Sequence, residues 1–245
     1  MKAVLLGATR GMGRALARRL AERGERIFLL GRDPDALARS AGDLEARGAP
    51  APVGSAHCDL LEPAGFEAAL DAADRALGAF DTLVVSAGLF ATQEALEADA
   101  ARRAALLAAN FTHTLELCEA ARVRLLSSGG GTLAVFSSVA GDRARRPVVL
   151  YGAAKAGLSH YLEGLDHRFR AQGLRTVTVK PGFVRTGMTE GLLAPPFAGD
   201  PDTVAARVLR AIDRGWPVVY APPIWRLVMA VVRRLPRAVL RRAAF

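Results

Sequence analysis

A short apolar strand, Lys2 to Leu6, runs straight into Gly7-Ala-Thr-Arg-Gly-Met-Gly13, and a helical pattern starts directly behind it. No other feature constrains the fold as strongly. Glycine allows the chain to turn tightly and lets backbone approach a ligand closely. The helix that follows offers free N–H groups and the positive end of its dipole, so the turn is a ready seat for a pyrophosphate. An ordinary strand-to-helix turn needs one glycine; this one has three, at Gly7, Gly11 and Gly13.

The alternation continues along the chain. Apolar strands are predicted at 26–30, 52–58, 82–85, 132–136, 174–180 and 217–220. Helices are predicted at 34–47, 63–78, 93–106, 107–126, 150–171 and 202–214, the first of these capped by Asp33 with Pro34 behind it. All-apolar strands between amphipathic helices imply an α/β fold, a single Rossmann-type doubly wound parallel sheet of about seven strands with helices on both faces. Residues 1–220 form this domain, and 221–245 an extension. Ligands of such sheets bind outside the carboxyl ends of the strands, where the strand order reverses.

Composition narrows the function classes. With 51% apolar and 23% charged residues, the chain is a folded domain, not a disordered one. Cys58 and Cys118 are the only cysteines, without a CxxC, and the four histidines lack metal-ligand spacing. A disulfide framework and a metal centre are therefore not expected, and free thiols fit a cytoplasmic protein. The apolar run before Gly7 is too short for a signal peptide, and no run is long enough to span a bilayer. The net charge of +9 is uneven: residues 201–245 hold nine arginines against two aspartates. A basic tail with no recognition motif gives no reason to expect nucleic-acid binding.

A second motif carries chemistry. Tyr151-Gly-Ala-Ala-Lys155 places a phenol and an ammonium on one face of a helix. A nearby cation favours the phenolate and lowers a phenol pKa from its usual value of about 10. Such a pair can exchange a proton with a substrate oxygen. Ser138 ends the strand before this helix, placing a hydroxyl within reach of the same oxygen, and Asn110 stands in a helical stretch where asparagine is disfavoured.

The Gly-x3-Gly-x-Gly turn, Asn110, Ser138 and Tyr151-x3-Lys155, in this order and spacing, resemble the short-chain dehydrogenase/reductase family over about residues 1–220. The resemblance implies an NAD(P)-dependent oxidoreductase of alcohols and ketones. Tyr151 would be the general acid in reduction. Lys155 would lower its pKa and hold the nicotinamide ribose, Ser138 would position the carbonyl, and Asn110 would support a proton-relay water. The dinucleotide would lie on Gly7, Thr9, Arg10, Gly11, Met12 and Gly13. Asp59 and Leu60 would meet the adenine, Ala87-Gly88 would follow the fourth strand, and Pro181, Gly182, Val184 and Thr186 would cover the nicotinamide. Two positions depart from the family: Leu6 replaces the usual threonine before the first glycine, and Ser86 replaces an asparagine.

At the end of the second strand, Gly31 stands where an NAD-binding acid would be, and Arg32 follows. Arg32 and Arg10 could grip a 2′-phosphate, so NADP(H) is favoured and NAD(H) is the alternative. Arg143, Arg145 and Arg146, just before Tyr151, could bind an anionic group of the substrate. The extension carries Ile224, Leu227, Val228, Val231, Val232 and Leu235 at helical spacing, with six arginines and no acid. It is predicted as a basic amphipathic helix suited to an anionic membrane surface, so the protein would be cytoplasmic and peripheral to the inner membrane face.

These segments, with Pro-Gly-Phe-Val-Arg-Thr-Gly-Met188, resemble one subgroup of the family: the reductase subunits of decaprenylphosphoryl-ribose 2′-epimerases. That resemblance implies a lipid-linked 2-keto pentose as substrate, a role in cell wall biosynthesis and a flavin oxidase as partner, although that subgroup is assigned NAD(H). A reductase of another oxo-lipid, such as a 3-oxoacyl group, and a catalytically silent dinucleotide sensor are the alternatives. The family resemblance further implies a homo-oligomer.

Overall fold

The computed structural model describes residues 1–191, 193–195 and 197–242. Its strands are β1 (Lys2–Leu6), β2 (Arg26–Gly31), β3 (Gly54–His57), β4 (Thr82–Val85), β5 (Gly131–Phe136), β6 (Leu174–Pro181) and β7 (Val218–Ala221). All pair in parallel, in the order β3-β2-β1-β4-β5-β6-β7. The order reverses between β1 and β4, so the carboxyl ends of these two strands open the crevice where ligands of such sheets bind.

The helices are α1 (Gly11–Glu22), α2 (Pro34–Ala46), α3 (Phe66–Leu77), α4 (Gln93–Ala98), α5 (Ala100–Leu107), α6 (His113–Ser127), α7 (Val149–Phe169), α8 (Pro201–Arg214), α9 (Ile224–Val232) and α10 (Arg237–Arg242). Alternate residues of each strand face opposite layers. Ala3 and Leu5 join a core with Leu16 and Leu20 of α1, Leu37 of α2 and Val208 and Ile212 of α8. Val4 and Leu6 join a second core with Leu70 of α3, Leu117 of α6 and Leu158 and Leu162 of α7. Each fully buried aliphatic side chain contributes roughly 1.5–3 kcal/mol, so both sheet faces are firmly held.

Several local departures from the sequence pattern have physical causes. The third strand is shorter than 52–58: Pro52 has no N–H for the ladder, and the Val53 N–H donates to the Glu45 carboxylate at 2.7 Å. The stretch 93–106 divides at Asp99, whose backbone leaves the helical region (φ −129°, ψ 105°) and whose carboxylate caps the Arg102 N–H of α5. Between α5 and α6, residues Ala108–Thr112 form a π-helical turn, and Asn110 sits in it. The extension is two helices, not one, because Pro236 cannot continue α9. Residues 243–245 of the extension lie outside the described residues.

Candidate active site

The glycine turn is shaped from the β4 side. Gly7 has φ +93°, in the region that favours glycine, and a Cβ at Gly13 would lie 2.3 Å from the Gly7 carbonyl oxygen. The Ser86 hydroxyl lies 3.1 Å from each of the Leu6 and Gly7 carbonyl oxygens and donates to them. The two departures from the family pattern thus compensate one another: Leu6 brings no hydroxyl, and Ser86 supplies one from the neighbouring strand.

A cleft of about 550 Å³ opens over this turn. Of the expected dinucleotide residues, Gly7, Thr9, Arg10, Gly11, Met12, Gly13, Arg32, Asp59, Leu60, Ala87, Gly88 and Thr186 line it. The turn, the start of α1 and the volume of the cleft fit a dinucleotide, and a Cβ at Gly7 or Gly13 would strike Ala87, Ser86 or the Gly7 carbonyl and break the tight turn that forms its floor. Pro181, Gly182 and Val184 do not line it: Pro181 and Val184 are buried, and Gly182 is covered by the Trp225 ring. Sequence reasoning missed Ser86, Leu89 and Phe90 as lining residues. Their position directly around Ala87-Gly88 was the available signal.

The adenosine end carries two exposed guanidiniums, Arg10 and Arg32. Arg32 lies 3.8 Å from Asp59, beyond hydrogen-bond length. Asp59 pairs with Arg32 and also accepts from the Leu61 N–H at 2.9 Å, and Asp33, within the field of Arg10, caps the Ala36 N–H.

None of the four catalytic candidates lines the cleft itself, Tyr151 and Lys155 included; they lie behind its wall, Asn110 and the Lys155 Nζ beside Gly88 and Tyr151 behind Phe90. Phe90 packs edge-on against Tyr151, with ring centroids 5.3 Å apart. Burial pushes the Tyr151 phenol up to about 12, while the Ser138 hydroxyl and the Arg145 charge act in the opposite direction. The Ser138 oxygen also accepts from the Ala140 N–H at 3.1 Å, which fixes the loop after β5. Lys155 is buried and donates to the Phe136 carbonyl at 2.8 Å, and burial lowers its ammonium to about 8. Its Nζ faces the Tyr151 ring, 5.8 Å from the centroid. Arg145 is thus a second cation beside the phenol, one that the motif does not predict. Asn110 is buried, and its side chain clamps Leu89: Nδ2 donates to the Leu89 carbonyl at 2.7 Å and Oδ1 accepts from the Leu89 N–H at 3.0 Å. Its side chain is a strut between α5–α6 and the β4 loop.

The three loop arginines separate. Arg143 donates to the Leu235 carbonyl at 2.8 Å and so ties the loop to the extension instead of facing a substrate. Arg146 is exposed. Arg145 is half-buried beside Tyr151, its Nε is buried without a hydrogen-bond partner, and burial draws its pKa down. Asp142 in the same loop is almost fully buried and holds both the Lys180 ammonium and the Tyr220 hydroxyl, the latter at 2.7 Å. Among the described residues no cluster of His, Cys, Asp or Glu could hold a metal ion. A further hollow of about 720 Å³ lies at the opposite, amino-terminal end of the strands, around Met1, Asp81, Gly130 and Arg170, away from these groups.

A family model described as short chain dehydrogenase matches residues 1–195. An uncharacterized oxidoreductase of Mycobacterium tuberculosis is 36% identical over 98% of this chain and 95% of its own. An uncharacterized oxidoreductase of Streptomyces coelicolor is also 36% identical, covering 98% and 94%. Carbonyl reductase family member 4 of Danio rerio is 31% identical over 78% of each chain. Among solved structures, a short-chain type dehydrogenase/reductase from Mycobacterium ulcerans superposes with a TM-score of 0.81 at 22% identity, covering 89% of this chain and 86% of that one.

Proposed function

This chain belongs to the short-chain dehydrogenase/reductase family, and on that premise we propose that it reduces a ketone bearing a nearby anionic group, with NADPH preferred over NADH. The observation that carries this reading is the Tyr151 phenol. It is protonated at neutral pH, is faced by the Ser138 hydroxyl, and packs against Phe90, which lines the cleft.

The dinucleotide, when bound, supplies the hydride that adds to the carbonyl carbon. Tyr151 donates its proton to the carbonyl oxygen as negative charge develops there, giving the alcohol, and the phenolate regains a proton from solvent. The Ser138 hydroxyl donates to the same oxygen and fixes its direction. Lys155, held by the Phe136 carbonyl with its Nζ beside Gly88, would give its remaining N–H groups to the nicotinamide ribose. Asn110 holds Leu89 and thereby the cleft wall next to Phe90.

Arg145 supports the anionic group. Among the described residues the half-buried Arg145 guanidinium has no carboxylate partner, which is costly, and an incoming phosphate or carboxylate would offset that cost. Arg10 and Arg32, with no acid at the end of β2, support the 2′-phosphate of NADPH. A 2-keto pentose on a polyprenyl phosphate is the narrower substrate reading, made by a flavin oxidase partner and resting on the sequence resemblance. A 3-oxoacyl ester is the competing oxo-lipid.

The test follows the absorbance of reduced nicotinamide. Purified protein receives NADPH or NADH and either the keto pentose, generated in place by a flavin oxidase, or a 3-oxoacyl thioester. Consumption that disappears in Tyr151→Phe supports the reductase, and the substrate that is turned over decides between the two lipids. A Tyr151→Phe variant equal to wild type in every assay would establish the catalytically silent alternative.

A further inference from the structure

The sequence pattern predicts one apolar face on the extension; α9 has two. Inward, the Trp225 ring lies on Gly182 so closely that a Cβ there would be 2.1 Å from the indole, and Met229 and Val232 pack on Val139, next to Ser138. The Trp225 Nε1 donates to the Phe197 carbonyl at 3.3 Å, and Arg143 holds the Leu235 carbonyl. The helix is thus fixed to the walls of the active site. Outward, Ile224, Leu227 and Val231 recur at helical spacing and are 37%, 66% and 62% exposed. An apolar stripe that the fold leaves in water marks a contact with something else.

The surroundings identify its chemistry. Arg226, Arg233, Arg234, Arg237, Arg241 and Arg242 are all exposed, and among the described residues none has a carboxylate partner. No acid lies between Tyr220 and the end of the sequence. We propose that this outward face of α9, with α10, docks on an anionic phospholipid surface. Leu227 and Val231 would enter the headgroup boundary, and the arginines would meet lipid phosphates. A second copy of the chain fits less well, since a two-fold contact would bring six arginines against six. Phe197, whose carbonyl accepts from the Trp225 indole, is itself 50% exposed and adds apolar surface beside the helix.

The experiment needs no turnover, so its outcome is separate from that of the proposed reductase. The full chain is sedimented with vesicles of phosphatidylcholine alone or mixed with phosphatidylglycerol. Binding to the mixed vesicles, released by salt and weak on phosphatidylcholine, is expected. Leu227→Glu with Val231→Glu should abolish it while leaving thermal melting unchanged, since both side chains are exposed. Arg233→Gln and Arg234→Gln should each weaken it roughly fivefold. No binding to the mixed vesicles overturns the proposal. A wild-type dimer that Leu227→Glu with Val231→Glu converts to monomer, with no vesicle binding in either, overturns it in favour of a second copy.

Discussion

The Ser86 hydroxyl braces Gly7: its oxygen lies 3.1 Å from the Gly7 carbonyl oxygen and equally far from that of Leu6. The strand that follows the crevice therefore shapes the turn on the strand that precedes it. Ser86→Ala removes this brace at a cost of about 1 kcal/mol in stability and weakens dinucleotide binding. Ser86→Asn, which restores the family residue, should weaken it more. The Ser86 oxygen already occupies the space that a Cβ at Gly13 would enter, 2.2 Å away, leaving no room for a larger group. Dinucleotide titration by calorimetry of both variants checks the order. Tighter binding by the asparagine variant would refute the compensation.

Tyr151→Phe keeps the ring that Phe90 packs against and deletes only the proton donor. Turnover should fall roughly 10³-fold while dinucleotide affinity changes little. Steady-state rates and a binding titration on the same preparation separate the two effects.

The pH profile follows from Lys155. Burial lowers its ammonium from the usual lysine range to about 8, so it is charged below that pH and neutral above it. Tyr151, pushed up to about 12, keeps its proton throughout. For reduction, kcat/KM should be level below about pH 8 and decline above it, because that ratio reports ionisations of the free enzyme. A profile that stays level well beyond that pH would remove the Lys155 charge from the mechanism.

Arg145→Met removes the cation that favours the Tyr151 phenolate and the group assigned to the substrate anion. Reduction of acetoacetate should lose roughly tenfold more in kcat/KM than reduction of its neutral methyl ester, the shared part of the loss reporting the phenol and the difference the substrate anion. Equal losses on both would assign Arg145 to the phenol alone. Replacing the exposed Arg32 with alanine should raise the KM for NADPH roughly tenfold and leave NADH nearly unchanged.

Asp142→Asn leaves the Lys180 ammonium without its carboxylate in a nearly buried site. Breaking such a pair costs about 3–5 kcal/mol. Because Asp142 also holds Tyr220 at the root of the extension, loss should be seen both in chemical denaturation and in early proteolysis after β7.

The layered fold was readable from the residues because each element carries its own signal. Continuous apolar strands, 3.6-residue helices and the Asp33-Pro34 cap are local, and local patterns need no knowledge of neighbours. The sheet class shared by this chain and the structures it resembles was legible for that reason. The order of Gly7, Ser138, Tyr151 and Lys155 was equally legible, since a helix puts residues four apart on one face.

What remained hidden depends on contacts between distant segments. Nothing near Leu6 in sequence indicates that Ser86 will replace a missing hydroxyl. Three arginines in one loop look alike, yet Arg143 meets Leu235, Arg145 meets Tyr151 and Arg146 meets water. The helical spacing of Leu227 and Val231 marks them as apolar without saying which side of α9 the domain will cover. Sequence alone determined the fold class, because propensity and periodicity act along the chain, and singled out the candidate catalytic residues by their order and spacing. The tertiary structure decided which charges stay free and which apolar face stays bare, because those depend on what the packed sheet brings beside them.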